Sequence, residues 1–339
     1  MKFIQTFAFF LFFQLFVACQ PSPENAVPLA TANVQSTSVN PRDFMTPEFA
    51  AANLIFKSSN IGQTWQDISA GLPVDKGVSC VVQNGEIIVR NPGDGVFRSL
   101  STSATPTWEK EMLLPNPVFG IFSGPSGMYA LSANNTFLQK NTTGTWAPVF
   151  TTLKNEHVQM VFEAANGTVF IGTDNGLFKS KDQGKNWKSV YPDGWVLRMA
   201  ESNGVLLCTT QRGISRSTDG GEHWEQVISE GGVGIEVEAI GSGFAAITYN
   251  TESDTRRVRI STDGGVTWEA IDANLPPSAN IASIKQVGQY FFCGHPKGVY
   301  RSSDGGVNWE LVFPAIGDKV FHLHVWGDVL YAIPQLAGC

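Results

Sequence analysis

Seven tryptophans, Trp65, Trp108, Trp146, Trp187, Trp224, Trp268 and Trp309, recur along this chain with a period of about forty residues. Four of them close one eight-residue pattern, Ser-x-Asp-x-Gly-x-x-Trp. The copies read "GLFKSKDQGKNWKSV" from Gly176, "GISRSTDGGEHWEQV" from Gly213, "RVRISTDGGVTWEAI" from Arg257 and "GVYRSSDGGVNWELV" from Gly298. A fifth, "LIFKSSNIGQTWQDI" from Leu54, has Asn60 in the Asp place. Two are eroded, "GVFRSLSTSATPTWEKE" from Gly95 and "TFLQKNTTGTWAPV" from Thr136. A unit this short cannot bury a core alone, so its copies must pack on one another.

Each period carries four strand signals. Before Trp187, "HVQMVFEA" and "GTVFIGT" meet at the tight-turn pair Asn166-Gly167; "LFKS", the Asp-containing turn and "NWKSV" follow. No sustained 3.6-residue period appears. Four short strands per period predict an all-β fold, a single seven-bladed β-propeller with four-stranded blades. The first copy has only two outer strands, and the chain supplies just two more, "VFHLHVW" and "VLYAIP", after Trp309. Pairing the two ends predicts a composite seventh blade that closes the ring and removes an exposed edge.

Within the pattern, Asp182, Asp219, Asp263 and Asp304 are placed to accept backbone N–H groups across a hairpin between third and fourth strands. Gly184, Gly221, Gly265 and Gly306 supply positive φ. Trp187, Trp224, Trp268 and Trp309 cover the turn and pack towards the next blade. One acid per blade around a ring cannot converge on one bond, so these residues read as structural rather than catalytic. The motif resembles the Asp-box of bacterial neuraminidase-type (BNR) repeats, and over about residues 54–333 the chain resembles the seven-bladed propellers of the photosystem II stability and assembly factor type. That resemblance implies a fold and no particular activity.

Sialidases, which also carry Asp-boxes, pair them with an arginine triad, a Tyr/Glu nucleophile pair and an Arg-Ile-Pro motif on six blades. This chain has no Arg-Ile-Pro and counts seven blades. Xyloglucan-cleaving relatives place their carboxylates between two propellers, and one is predicted here. The expectation is therefore a non-catalytic scaffold, with no catalytic residues, cofactor or metal, presenting one propeller face to a protein or glycan. The alternative is a glycosidase of the sialidase-like broad class using paired loop carboxylates, drawn from Asp94, Asp174, Asp193, Asp254 and Asp318.

Strand order puts the links between second and third strands, and those between blades, on the face opposite the Asp-boxes, where a rigid scaffold holds variable loops. Candidate binding residues there are Arg90, Asp94, Asp174, Trp195, Arg212, Tyr249, Asp254, Arg256, His295 and Lys297. Asn91, Asn175, Gln211, Asn250, Glu252, Asp75 and Asp318 accompany them, and the link from Tyr249 to Arg256 is the longest of its kind. His322 and His324 alternate on the innermost strand of the composite blade, where they could line the channel.

The opening "MKFIQTFAFFLFFQLFVAC" reads as a lipoprotein-type signal peptide over 1–18, with Cys19 as the lipidation site and Phe16 where the bacterial lipobox usually has Leu. Residues 19–52, rich in Pro, Ser, Thr, Ala and Asn, read as a flexible tether, and 53–339 as the propeller. These features predict an exported, membrane-anchored bacterial envelope protein with a monomeric domain. With 23 basic and 30 acidic residues and a net charge of −7, nucleic acid is not the expected partner, and the membrane is met only through the anchor. Cys80, Cys208 and Cys293 lie in apolar runs and read as buried hydrophobes; a Cys293–Cys339 disulfide is the remaining pairing in an oxidising compartment.

Overall fold

The computed structural model describes residues 53–336, apart from 74–77, 104, 115–116, 133–135, 142, 152, 154–155 and 242. The signal peptide, Cys19, the tether, Asp75 and the Cys293–Cys339 pairing all involve residues outside that set. The described chain forms seven four-stranded antiparallel sheets and no helix. Six are consecutive meanders, numbered here blades 1 to 6 from Ser79 onward, each running inner, second, third, outer. Blade 7 is the predicted composite: Lys319–Trp326 innermost, then Val329–Leu336, then Phe56–Ser58 and Gln66–Asp67 from the chain start. Phe56 pairs with Ala332, Lys57 with Tyr331 and Ser58 with Leu330.

Burial follows from this arrangement. A sheet standing on edge has two faces, each meeting a neighbouring blade, so the second strands are apolar on both: Gly127–Ser132, Val169–Thr173 and most of Tyr290–His295 are buried throughout. Hydrophobic clusters occupy each of the seven seams. Ile87 and Val89 meet Tyr331 and Ile333 between blades 7 and 1, while Phe292 and Val299 meet Phe321 and Leu323 between blades 6 and 7. Cys80, Cys208 and Cys293 are buried free thiols in those clusters, and burial raises their pKa values.

Each Asp-box is a hydrogen-bonded knot. Ser302 Oγ donates to Asp304 Oδ1 at 2.9 Å and accepts the Gly306 N–H at 2.8 Å. Asp304 Oδ1 also accepts the Asn308 N–H at 2.9 Å, and Oδ2 the Asn308 amide at 2.7 Å. The same pattern recurs at Asp182, Asp219 and Asp263. These bonds hold Asp182 down to about 2 and depress the other three carboxyls as well. Asn60 keeps the knot without a charge, accepting from Ser58 Oγ and the Thr64 N–H, each at 3.0 Å. Trp309 Nε1 donates to Ile271 O of blade 5 at 2.7 Å, and Trp108 Nε1 to Ile68 O of blade 7 at 2.8 Å, so the indoles tie seams as well as turns.

A second tie was not read from the sequence. The cation just before the box Ser reaches across the seam to a carbonyl in the next blade's turn. Lys179 Nζ donates to Gly220 O at 2.5 Å, Arg216 Nε to Gly264 O at 2.7 Å and Lys57 Nζ to Ser101 O at 2.6 Å. Blade 5 departs from this, with Ile260 before Ser261. At the seam it shares with blade 6, Asn274 Nδ2 donates instead to Val307 O at 2.7 Å.

Candidate functional site

The face opposite the boxes, the loop face, holds the second-to-third hairpins and the links between blades. Several expected residues there turn out to be engaged by the fold itself. Arg90, half-buried, spends Nε on Val118 O of blade 2 at 2.6 Å, and burial lowers its pKa. Asp94 sits in a turn closed by its N–H to Asn91 O at 3.3 Å. Asp174 accepts from Gln159 Nε2 at 2.6 Å and meets His157 Nδ1 at 3.2 Å, all within blade 3. His295 is 1% exposed, with Nε2 on Pro276 O and Nδ1 on the Lys297 N–H, both at 3.0 Å. It was expected among the binding residues and has no surface to offer a ligand. Trp195 is half-buried in the link between blades 3 and 4, and Arg212 and Lys297 stand exposed.

Blade 5 differs from its neighbours. Its second and third strands pair from Phe244–Ser261 to Asn250–Thr255, whereas those of blade 6 pair from Phe291–Ser302 to His295–Gly298. Both ladders start at the box Ser, so the extra two residues per strand lift the blade 5 hairpin about 7 Å further out of the loop face. At its tip the Tyr249 hydroxyl donates to Asp254 Oδ1, and Asp254 itself has a φ of 54°. That hydrogen bond to a carboxylate raises the phenol pKa. Arg256, the cross-strand partner of Tyr249, donates Nη1 to Ile281 O at 2.8 Å, two residues before the inner strand of blade 6. Its Nε is buried without a hydrogen-bond partner, and burial lowers its pKa.

Towards the axis, charged side chains on successive inner strands form a chain of ion pairs. Arg198 Nε of blade 4 lies 3.4 Å from Glu236 Oε2 of blade 5. Lys285 Nζ of blade 6 lies 3.3 Å from Glu236 Oε1 and 2.5 Å from Glu238 Oε2. Burial raises the Glu238 pKa, and the two carboxylates hold that of Lys285 up despite its burial. Next in the ring, burial and the nearby cations push His322 down to about 4 and His324 to about 3. Sequence reading found the alternating "HLHV"; the same period-two signal in "GIEVEAI" and "SIKQV" could have revealed Glu236, Glu238 and Lys285. Among the described residues no group of three or more His, Cys, Asp or Glu is placed to hold a metal.

A Tyr–Glu pair does exist at the box end of the seam between blades 2 and 3. Tyr129 Oη donates to Glu163 Oε2 at 3.0 Å, and Ser126 donates its N–H to the same oxygen at 3.0 Å. Burial and the carboxylate raise the phenol pKa, the opposite of what a phenolate nucleophile needs.

The BNR/Asp-box repeat family matches residues 259–270, the turn of blade 5. The chain is a seven-bladed propeller with Asp-box turns. Its fold is similar to an ancestral GH74 enzyme, at 13% identity and a TM-score of 0.57 over 83% of this chain; the propeller spans 45% of that enzyme's length. It is also similar to YCF48 bound to D1 peptide, at 13% identity and a TM-score of 0.55, covering 76% of this chain and 90% of that one. A catalytically inactive H270A virginiamycin B lyase from Staphylococcus aureus, with quinupristin, matches at 15% identity and a TM-score of 0.56, covering 76% and 94%. No curated protein matches the chain. Similarity at this level speaks to fold alone.

Proposed function

We propose that this propeller is a non-catalytic binding or assembly scaffold of the bacterial envelope, anchored through Cys19, whose loop face receives a protein or glycan. One observation carries the reading. Two loop-face acids are engaged by their own blades, Asp174 by Gln159 and His157 and Asp254 by Tyr249, while Arg212, Arg256 and Lys297 form no ion pair among the described residues. Such a face recognises charge on a visitor more readily than it cleaves a bond. YCF48, of the same fold, is seen with a peptide bound.

The glycosidase reading keeps one specific support. Glu236 and Glu238 share the Lys285 ammonium and so lie within about 6 Å of each other, near the ~5–5.5 Å of retaining glycoside hydrolases. The ammonium between them stands where a glycosidic oxygen would have to sit.

Assaying the purified protein on a glycan panel for released reducing sugar or sialic acid separates the two readings. The scaffold reading expects no turnover, together with a retained partner that is lost on Arg256→Glu or Lys297→Glu. Turnover abolished by Glu238→Gln overturns it.

A further inference from the structure

The two halves of the loop face differ in chemistry. In a ring of seven, blade 5 stands opposite the seam between blades 1 and 2, with three steps on one side and three on the other. On the far side of the channel mouth from the raised blade 5 hairpin, the link leaving blade 1 exposes Met112 and Leu113 at 80% and 67%. The first residues of blade 2's inner strand add Phe119, 53% exposed. Met112 and Leu113 stand just beyond the outer strand and Phe119 at the start of the inner one, so the link exposes apolar side chains at both of its ends on the loop face.

The polar side carries one unpaired cation beside the hairpin's own acids, Glu252 and Asp254. Glu236 and Glu238 are shared between Lys285 and Arg198, and Arg256 has no carboxylate partner among the described residues. Its guanidinium reaches the top of blade 6's inner strand through Ile281 and leaves Nε buried and unsatisfied. Burying a cation without a counter-charge is costly, and an entering carboxylate would remove that cost. Arg198, 48% exposed at its side chain, lies with Nε 3.4 Å from Glu236 Oε2 and donates Nη1 to Leu197 O at 2.9 Å.

We infer that the loop face takes an extended, acidic protein segment laid across the channel mouth. A carboxylate of that segment meets Arg256 and Arg198, and one or more bulky apolar side chains cover Met112, Leu113 and Phe119. The inference rests on the scaffold reading and names the partner's chemistry. Met112 and Leu113 decide for protein over carbohydrate, because flexible aliphatic chains pack against aliphatic side chains and offer no flat platform to a sugar ring.

The test is selection of random dodecapeptides from a displayed library on the full-length chain, followed by synthesis of the enriched sequences. Enrichment of Asp or Glu together with Leu, Ile or Phe in one peptide is expected. Arg256→Gln should weaken those peptides roughly tenfold or more, and flatten the salt dependence of binding. Leu113→Ser with Phe119→Ser should weaken them by a similar factor and leave the salt dependence alone. Should Arg256→Gln melt early, the more exposed Arg198→Gln carries the same test.

Enriched peptides that lack acids, or that bind both variants as tightly as the parent, overturn the inference. So does capture of an acidic oligosaccharide through Arg256 when no peptide is enriched. Peptides that lose affinity on Lys297→Glu yet need no acid sink this inference alone; glycan hydrolysis, or peptides cross-linked only to the Asp-box turns, sink the scaffold reading beneath it.

Discussion

Arg301 Nη1 donates to the carbonyl of Ile61 at 2.6 Å, across 240 residues of sequence, and so joins blade 6 to the turn of blade 7. Arg301 precedes the box residue Ser302 as Lys179 precedes Ser180, so the seam next to the ring's closure uses the same clasp as the seams inside the meander. The residues joining the ends are therefore ordinary repeat residues put to a second use.

Arg301→Met should lower unfolding free energy by about 1–2 kcal/mol, the usual cost of losing a charge-assisted bond and leaving its carbonyl partner unmet. Urea midpoints of the parent and variant check it. Arg98→Met, which removes an exposed pair with Glu109 inside blade 1, controls for simple loss of charge.

Neighbouring glycines of one turn should behave differently. Gly305 has a φ of 77° with open space around a new Cβ, so Gly305→Ala meets backbone strain only, about 1 kcal/mol. Gly306, with a φ of 94°, would place its Cβ 2.4 Å from Ile271 Cβ, so Gly306→Ala adds a seam clash and should cost several-fold more. Equal melting shifts for the two would contradict this.

Stability should fall on acidification from about pH 6.5 towards pH 4. Unfolded, both axial imidazoles protonate near 6.5. Folded, they stay neutral down to about 4 for His322 and about 3 for His324. Within that window the unfolded chain holds more protons, so each unit drop in pH favours unfolding, and the effect of each group levels off below its folded value. The double change His322→Gln, His324→Gln should flatten the slope by at least about 1 kcal/mol over the window. Denaturant titrations at pH 7, 5.5 and 4.5 read it.

Lys285→Met leaves Glu236 and Glu238 facing each other in the channel wall and should cost about 3 kcal/mol or more. Adding Glu238→Gln should restore a good part of that, because the like-charge contact goes with it. A double variant no more stable than Lys285→Met would show that the ammonium's packing, rather than its charge, matters.

The repeat made the architecture readable because each turn declares itself locally: a Ser, an Asp, a Gly and a Trp at fixed offsets. Closure was readable by counting strands, since Leu54 begins with two and Trp309 is followed by two. The clasp escaped notice although Lys or Arg stands before most of the box positions, because its acceptor is a backbone carbonyl and carries no residue signature. The axial ion chain escaped for another reason: Arg198, Glu236 and Lys285 belong to three blades, and only the ring brings them together. His295 misled the reading because a polar residue beside a hairpin looks the same in sequence whether it faces solvent or locks the turn from beneath.

The composite blade imposes an order on the life of the chain. Its third and outer strands precede the other six blades in the chain, and their pairing partner, Val329–Leu336, follows all six. A nascent polypeptide therefore cannot shut its circle until Val329–Leu336 has been made.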